Sequence, residues 1–494
     1  MAFRLVIAEK PSMAQTIAAA LGIKGKQDGY IEGGGYLISW CVGHLVQLAE
    51  AAAYGEQYRK WSYDSLPILP EEWQYAVDPD KGKQFKTIKE LMHRADVSEV
   101  VNACDAGREG ELIFRLVYHQ CECQKPFERL WISSMEDAAI REGFANLKPG
   151  TEYDALYEAA LCRERADWIV GINATRLFSC LYGVTLNVGR VMTPTLGMVV
   201  LREAAISAFV PEPFYTVQIT VNDFTVSSER FKGKTDAESC RKACLEAGTA
   251  AVKRVERREK SEKPPALYDL TTLQREANRL FGFTAQQTLD YTQSLYEKKL
   301  VTYPRTDSQY LTDDMEENAF LVIDAVNRVF PEISMKGSEP EIKRLLNSKK
   351  VSDHHAIIPT VEIANTDLKA LPGGEKEILM LIASKLLCAS EQEYIYESIK
   401  TEISCHGELF TASGKNVLQY GWKELEERFF KSYGKNAEKP EEEESDFPDI
   451  KIGQVFECVV VKFSEHFTAP PKHYTDVIFC ERKEWIGIEE RSSA

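Results

Sequence analysis

Two short apolar runs, each followed directly by acidic residues, constrain the fold of this chain most strongly. The run at 3–8 ends at Glu9, and the run at 97–104 ends at Asp105, with Glu109 four residues further on. Short apolar runs of this kind are typical of buried strands in an α/β sheet. Because ligands and catalytic groups gather beyond the carboxyl ends of such strands, the sequence predicts an amino-terminal α/β domain that presents these acids together.

The three acids suit a hard divalent cation. Mg²⁺ prefers oxygen ligands and retains several water molecules, so two or three carboxylates are enough to hold it. The alternative is that each acid only caps a helix, where Asp and Glu are often found. Either strand end alone would favour capping, but the two together favour a metal site formed by Glu9, Asp105 and Glu109. Glu111, further along the same helix, is expected to be a solvated acid.

The composition is that of an ordinary globular protein. The 494 residues are 44% hydrophobic and 28% charged, and the length suggests about three or four structural units. We find no apolar stretch of the ~20 residues needed to cross a bilayer, and the start gives no sign of a secretory signal. The twelve cysteines lack the spacing of a zinc site. A reduced, cytoplasmic protein is therefore expected.

The net charge of −16 argues only weakly against a nucleic-acid partner. A sum over the whole chain says little about local fields, because one basic groove can sit on an acidic body. Part of the acidic excess lies in the run at 441–444, which we interpret as a solvated loop.

The segment at 300–308 carries a second chemical signal, centred on Tyr303. A phenol can attack a phosphodiester and become a phosphotyrosine, which stores the bond energy for resealing. Arg305 can bind phosphoryl oxygens through its planar fork and stabilise charge in the transition state, while Pro304 disfavours helix at Tyr303. No Gly-x4-Gly-Lys phosphate loop occurs, so ATP is not expected. The alternative is a buried strand tyrosine beside a surface arginine.

These segments resemble known families. The stretches 8–12 and 105–110 resemble the Toprim domain, the stretch 300–308 resembles the active-site segment of type IA DNA topoisomerases, and 353–360 resembles their histidine motif. The chain is therefore similar to type IA topoisomerases of the topoisomerase III kind, over residues 1–476. The resemblance implies the following catalytic residues: Glu9, Lys10, Tyr303, Arg305 and His354. It places His354 beside the phosphate pocket, where a histidine can donate a proton or a hydrogen bond.

One residue departs from the Toprim pattern. That pattern is Asp-x-Asp-x-Glu, whereas Gly107 stands at the second acid. One metal ligand is thereby lost, and Mg²⁺ binding by the remaining acids, Glu9, Asp105 and Glu109, is still expected.

The resemblance also implies a groove for single-stranded DNA. The stretch 187–195 resembles the family segment at the base of this groove, with Met192 in place of a glutamine. Trp61 is the candidate for stacking on a base, although a core tryptophan is nearly as consistent with the pattern. The expected DNA-binding residues are Trp61, Arg163, Arg165, Asn173, Gly189, Arg190 and Thr193.

The fold implied is multidomain, α/β plus α plus β, arranged as a toroid. The expected parts are a Toprim domain (1–150), the first part of a helical DNA-groove domain (151–212), a β-rich arch in two pieces (213–266 and 390–465), a helical domain carrying the catalytic tyrosine (267–389), and a final part (466–494). In that final part the resemblance stops, and we interpret it as a truncated start of the groove-domain return followed by an unrelated tail. Exposed apolar surface is therefore expected within 151–212.

Two functions follow as expectations. The first is an ATP-independent DNA topoisomerase that cleaves one strand through a 5′-phosphotyrosine, passes a strand and reseals. It would relax negative supercoils or decatenate, acting on single-stranded and negatively supercoiled DNA. The alternative is a truncated DNA-binding remnant with impaired strand passage. A Toprim nuclease or primase is disfavoured, since neither needs the tyrosine segment. The resemblance further implies a monomer with no membrane contact and a helicase as partner.

Overall fold

A computed structural model gives the architecture. It describes residues 2–132, 135–221, 224–335, 337, 339–351, 354–433 and 447–475. The acidic run at 441–444 and the tail at 476–494 lie outside the described residues. Within the described part of the chain, none of the helices has the length and apolar character needed to span a membrane.

A seven-stranded sheet organises the amino-terminal domain. Its strand order is β2-β3-β4-β1-β7-β8-β9, and a separate hairpin is formed by β5 and β6. The strands are β1 (Phe3–Ala8), β2 (Gly25–Lys26), β3 (Tyr30–Gly33), β4 (Tyr36–Trp40), β5 (Val46–Leu48), β6 (Tyr75–Val77), β7 (Val97–Ala103), β8 (Phe127–Arg129) and β9 (Lys148–Pro149), and the helices are α1 (Pro11–Ala20), α2 (Gly82–His93), α3 (Arg108–Gln120) and α4 (Asp137–Ala145).

The register of the central strands sets the position of the acids. β1 pairs in parallel with both β4 and β7, and Ala8 lies opposite Ala103. Since β1 and β7 end side by side, the residues that follow them, Glu9 and Asp105, leave the sheet at the same edge. Both faces of the sheet are covered, because Leu5 of β1 belongs to one apolar cluster and its neighbour Val6 to another.

Two long helices follow, α5 (Asp154–Tyr182) and α6 (Met192–Ser207). α5 packs against α3 of the first domain, but α6 has no buried residue. Apolar side chains such as Leu196 and Leu201 are 62% and 73% exposed. The expectation of exposed apolar surface within 151–212 is therefore confirmed.

A closed barrel is built from two separated stretches of chain. Its strand order is β10-β11-β14-β13-β12-β15, and one helix, α7, packs on it. In β10, the inward-facing residues Val217, Ile219 and Val221 alternate with outward-facing ones and are fully buried. The elements are β10 (Pro213–Val221), β11 (Phe224–Ser228), α7 (Lys234–Ala247), β12 (Thr249–Glu262), β13 (Tyr394–Cys405), β14 (Glu408–Gln419) and β15 (Val455–Phe467).

A helical domain is formed by the chain between the two barrel stretches, together with α12 (Trp422–Tyr433), which follows β14 within the second stretch and packs on α11 (Gly373–Ser390). Local sequence defines its first helix, since Asp269 accepts a hydrogen bond from the Thr272 backbone in a capping box, and Gly282 ends the helix in a left-handed conformation (φ 71°). The apolar stripe of this helix, with Leu273 fully buried, faces the core. The helices are α8 (Leu270–Phe281), α9 (Ala285–Glu297), α10 (Glu316–Val329), α11 (Gly373–Ser390) and α12 (Trp422–Tyr433).

Candidate active site

The tyrosine segment is held in an extended conformation after α9. The backbone N–H of Thr302 donates to the carbonyl of Ile358 at 3.0 Å, and its hydroxyl donates to the carbonyl of Ala356 at 3.1 Å. Further along, the hydroxyl of Thr306 donates to the carbonyl of His354 at 2.8 Å. The segment is therefore fastened along its length to the histidine-containing stretch, and Tyr303 lies between these attachments.

Tyr303 meets the edge of the amino-terminal sheet. Its hydroxyl donates to Oδ2 of Asp105 over 3.1 Å, although the two residues are 198 positions apart. The phenol ring is 8% exposed, and its centroid lies 4.2 Å from that of the His354 imidazole. Burial raises the pKa of Tyr303 well above its usual value, the charge of Asp105 raises it further, and the charge of Arg305 opposes them. The structure thus joins the tyrosine and the first-domain acid in one buried site.

Glu9 and Asp105 form a close carboxylate pair. The backbone N–H of Asp105 donates to Oε2 of Glu9 at 3.3 Å. Burial and then the charge of Asp105 raise the pKa of Glu9 to about 7, against the opposing charges of Lys10 and Arg305. Burial also raises the pKa of Asp105, opposed by the same two cations. At neutral pH, a substantial fraction of Glu9 therefore carries a proton.

The two cations beside this pair are positioned by α9. Nη1 of Arg305 donates to Oε1 of Gln293 at 3.2 Å, and Nζ of Lys10 lies 3.6 Å from Oε1 of Glu297. Gln293 and Glu297 are one helical turn apart, so a single face of α9 holds both cations at the site. The arrangement brings an arginine fork next to the phenol and an ammonium next to the carboxylate pair, and such cations suit the binding of a phosphodiester.

His354 is fixed beneath the phenol as a neutral ring. Its Nε2 contacts the carbonyl of Ala106, so this nitrogen carries the hydrogen and donates it. Burial lowers the pKa of His354 to about 3. The ring is therefore neutral near pH 7, which favours the hydrogen-bonding role over proton donation. The role of His354 beside a phosphate stays a prediction.

The expected set of three metal ligands is not assembled. Glu109 lies on the first turn of α3 with its Oε2 3.7 Å from Nε2 of His44, and this partner lowers the pKa of Glu109. Throughout the described ranges, no group of three or more His, Cys, Asp or Glu side chains is arranged to hold a metal. In this arrangement Glu109 pairs with His44, and its part in a metal site with Glu9 and Asp105 stays a prediction.

Two acids nevertheless remain suited to a cation. Oδ1 of Asp105 is buried and has no hydrogen-bond partner. An unpaired carboxylate oxygen next to a second carboxylate is costly in a buried site and is relieved by a bound cation. The donor set of Glu9 and Asp105 therefore fits a divalent metal that keeps several water ligands.

Comparison with known proteins decides the family. A DNA topoisomerase family model matches residues 151–481, and a Toprim domain model matches residues 4–135. This chain belongs to the type IA DNA topoisomerases. It is 39% identical to DNA topoisomerase 3 of Bacillus subtilis over 488 residues, which are 96% of this chain and 66% of that protein. It is 40% identical to DNA topoisomerase 3 of Bacillus cereus over 441 residues, which are 86% of this chain and 60% of that protein.

The topoisomerase fold also matches a solved structure. Full-length topoisomerase I from Thermotoga maritima superposes with a TM-score of 0.76 at 23% identity, over 99% of this chain and 76% of that one. The fold class expected from the sequence, a Toprim domain with the type IA topoisomerase architecture, is confirmed. The Toprim match also identifies a domain type that binds metal ions.

Two glycines of the topoisomerase Toprim motif differ in whether the structure requires glycine at their positions. Gly110 is required by packing, because a Cβ there would lie 2.1 Å from the carbonyl oxygen of Asp105. Gly107, which stands in place of the second acid, has extended backbone (φ 176°, ψ 175°) at the start of α3. Any residue can adopt that conformation, so the backbone does not demand glycine at this position.

The expected groove segment of the topoisomerase is a tight turn between α5 and α6. The hydroxyl of Thr193 accepts a hydrogen bond from the backbone N–H of Gly189 at 3.1 Å. Arg190 makes a two-point ion pair with Asp167 of α5, at 2.7 and 3.1 Å. Both Arg190 and Asp167 are about two-fifths exposed, so the guanidinium lies at the surface with its charge partly compensated.

The other groove candidates lie along α5 and the segment before β6. Trp61 is 43% exposed, and the guanidinium of Arg176 lies 5.4 Å from its ring. Arg165 lies 5.3 Å from the ring of Trp73. Asn173 makes three hydrogen bonds, accepting from the backbone N–H of Ile68 and donating to two carbonyls. Its amide therefore holds the segment that carries Trp61.

Arg163 lies near the Glu109 end of this surface. Its positive charge helps to lower the pKa of Glu109, after the larger effect of His44. The side chain is therefore close to the carboxyl edge of the sheet, on the helix that runs from this edge to the groove segment.

One expectation from the sequence is overturned, and one residue was missed. Glu111 was expected to be solvated, but it is fully buried, and so is Arg129, with 3.1 Å between Oε2 of Glu111 and Nε of Arg129. The burial of these two residues could be predicted in part, since Glu111 lies just before the apolar run at 112–114 and Arg129 ends a strand. A charged residue within an apolar run indicates a buried ion pair, but the partner cannot be read from spacing.

Proposed function

We propose that this chain is an ATP-independent DNA topoisomerase that cleaves one strand through a 5′-phosphotyrosine, passes a strand through the break and reseals it. One observation carries the proposal: the hydroxyl of Tyr303 lies 3.1 Å from Asp105 in a buried site that also contains Glu9 and Arg305. A nucleophile, a proton acceptor, a protonated acid and a cation are all needed for transesterification at phosphorus. Tyr303, Asp105, Glu9 and Arg305 supply them in that order.

The proposed step balances as follows. The Oη atom of Tyr303 forms a bond to phosphorus as the bond between phosphorus and the 3′ oxygen breaks. Asp105 accepts the phenolic proton along the existing hydrogen bond, and Glu9, whose pKa is about 7, gives a proton to the leaving 3′ oxygen. Arg305 stabilises the charge on the non-bridging oxygens. Resealing is the reverse, since the phosphotyrosine retains the energy of the bond.

We propose Mg²⁺ as the cofactor, held by Glu9 and Asp105. The support is the buried, unpartnered Oδ1 atom of Asp105 and the preference of Mg²⁺ for carboxylate oxygens and water. When bound, the cation would take oxygen ligands from the Asp105 carboxylate and from Glu9, whose carboxyl keeps a carbonyl oxygen when it is protonated, and would help to organise the DNA backbone at the site. Glu109 would join only by leaving His44.

We propose that the DNA strand runs from this site along α5 to the groove segment. Arg163, Arg165 and Arg190 would contact phosphates, Gly189 and Thr193 would bring the turn close to the backbone, and Trp61 would stack on a base. The support is their position on α5, on the turn that follows it and on the segment that packs against it, where Arg163 and Arg165 are half-buried and Arg190, Thr193 and Trp61 are exposed. A monomeric enzyme acting in the cytoplasm on negatively supercoiled DNA, with a helicase as partner, is the form of the proposal that the family resemblance favours.

The test uses a negatively supercoiled plasmid with Mg²⁺ and no ATP, and an oligonucleotide labelled at either end. The expected results are a ladder of relaxed topoisomers and, after denaturation, an adduct that carries the 3′ label because the protein holds the 5′ phosphate. Tyr303→Phe should abolish both. The matched control is Tyr310→Phe, which removes a hydroxyl from the same segment where it contacts Lys350 at 3.1 Å.

The outcomes separate the two candidate functions. An adduct without relaxation would favour the alternative in which cleavage persists without strand passage. Binding of DNA with no adduct at all would favour a binding protein. Relaxation that survives Tyr303→Phe would overturn the assignment of the nucleophile.

A further inference from the structure

Two fully buried charged residues under the active site take no part in the proposed chemistry. Glu111 lies on α3 and Arg129 at the end of β8, and both are 0% exposed. Burying charges is costly unless each is well paired and hydrogen-bonded. The contacts of these two residues therefore show which parts of the site they hold in place.

The guanidinium of Arg129 holds the backbone turn that carries Asp105. Its Nη1 donates to the carbonyl of Cys104 at 2.7 Å, and its Nη2 donates to the carbonyl of Asp105 at 2.6 Å. Nη1 also contacts the carbonyl of Asn102 at 3.1 Å. The carbonyl of Asn102 already accepts from the backbone N–H of Leu130 at 2.9 Å, but those of Cys104 and Asp105 follow the end of β7 and are held by this one side chain.

Glu111 in turn holds Arg129. Its Oε2 accepts from Nδ2 of Asn102 at 2.9 Å and lies 3.1 Å from Nε of Arg129, while its Oε1 accepts from Nε of Arg115 at 2.8 Å. The amide of Asn102 completes the frame, because its Oδ1 accepts from the backbone N–H of Cys104 at 3.0 Å. The turn from Cys104 to Asp105 is thus fixed from its N–H side and its carbonyl side by one network.

We propose that Glu111, acting through Arg129, is a positioning residue that aims the carboxylate of Asp105 at Tyr303 and at the metal. This rests on the proposed function. The Asp105 side chain has one oxygen on the phenol and the other unpartnered, so its direction is not set by bonds of its own beyond Tyr303. Its direction follows from the backbone, and the backbone is held by Arg129.

The first variant is Glu111→Gln, which keeps the shape and the contact to Asn102 but removes the charge opposite Arg129 and Arg115. The second is Arg129→Lys, which keeps the charge but loses the fork that spans two carbonyls. The matched control is Asp154→Asn. Oδ1 of Asp154, a more exposed carboxylate, accepts from Nη2 of Arg115 at 2.7 Å, so the variant removes a charge that also pairs with Arg115 but leaves the Glu111–Arg129 pair in place.

The first measurement is Mg²⁺ binding by calorimetry, which does not depend on activity. Glu111→Gln and Arg129→Lys should weaken the Kd for Mg²⁺ by about fivefold or more, and Asp154→Asn should leave it within about twofold; these values correspond to roughly 1 and 0.4 kcal/mol. The second is the rate of adduct formation on a single-stranded oligonucleotide, which should fall about tenfold in the first two variants. High Mg²⁺ should restore part of the relaxation.

The results decide between positioning and a general structural role. If both variants remain folded, with wild-type Mg²⁺ affinity and wild-type adduct rates, the inference is overturned. It is also overturned if affinity and rate fall only in proportion to a loss of folded protein, measured by thermal unfolding in the same buffer. If wild-type protein forms no adduct while Glu111→Gln still weakens Mg²⁺ binding, the proposed function fails and the positioning role stands.

Discussion

Glu9 should make the protein less stable as the pH rises, and replacing it should remove that penalty. The pKa of Glu9 is raised from its ordinary 4.5 to about 7, first by burial and then by the charge of Asp105. Between these two values the folded protein binds more protons at this position than the unfolded chain. The free energy of unfolding therefore falls as the pH increases from about 4.5 to 7, and stays lower above 7.

The size of the effect follows from the shift. A change of about 2.5 units at 1.36 kcal/mol per unit corresponds to up to about 3 kcal/mol at pH 8. Glu9→Gln has nearly the same shape and no charge, so it should match the wild type near pH 4.5 and exceed it at pH 8. For a slope of about 2–3 kcal/mol per molar urea, the urea midpoint of the amino-terminal domain should increase by about 1 M at pH 8.

The assay is urea unfolding at pH 5, 6, 7 and 8 in the presence of a chelator, because a bound cation would offset the charge. Tryptophan fluorescence is suitable, since Trp40 lies at the end of β4 opposite Ala8. Glu90→Gln, which alters an exposed carboxylate on α2, serves as the control and should follow the wild type. If the Glu9→Gln midpoint also follows the wild type at every pH, Glu9 does not carry the buried charge inferred here and cannot be the proton donor proposed for the leaving oxygen.

Three further results are expected. Gly107→Asp should restore the second acid of the Toprim motif, cap α3, and lower the Mg²⁺ concentration for half-maximal relaxation several-fold; an unchanged or higher requirement would contradict this. Asp167→Asn should release Arg190 and tighten the binding of single-stranded DNA, measured by fluorescence anisotropy, about two- to fivefold at 50 mM salt and less at 200 mM salt. If the variant and the wild type bind with equal affinity at both salt concentrations, Arg190 does not contact a phosphate. Leu273→Ala should lower the free energy of unfolding by about 2–5 kcal/mol in urea titrations, and a change below about 1 kcal/mol would mean that α8 is not packed as described.

The position of the acids could be predicted because it depends on a local rule. The apolar runs before Glu9 and Asp105 read as strands, and parallel strands that end together bring their following residues to one edge. The catalytic role of Tyr303 was predicted from the resemblance of 300–308 to the active-site segment of type IA topoisomerases. The Tyr-x-Arg spacing alone left a buried strand tyrosine as an alternative.

The partners of the polar side chains could not be predicted, for a different reason. Glu109 pairs with His44, Glu111 with Arg129, and Asn173 with the backbone of Ile68, 105 residues away. Each of these partners is distant in sequence, so helical or strand spacing gives no information about it. Polar side chains on a helix are interpreted as solvent-facing or ligand-binding until the packing of the domains is known. The same sequence pattern also fits a third role, a structural contact with another part of the fold.

The contacts between the Toprim sheet and the tyrosine domain bear on how a break in DNA could be opened. Lys10 pairs with Glu297 at 3.6 Å and Lys299 with Asp137 at 2.5 Å, both partly exposed to solvent. Exposed pairs of this kind contribute only about 0–1 kcal/mol each, since water replaces them readily. The bond from Tyr303 to Asp105 is lost in any case once the phenol is joined to phosphate. Cleavage therefore removes a bond that ties the nucleophile to the sheet, and the ion pairs that remain can exchange with water. A domain separation that follows cleavage is thus less costly than one that precedes it, which is the order that the proposed strand passage requires.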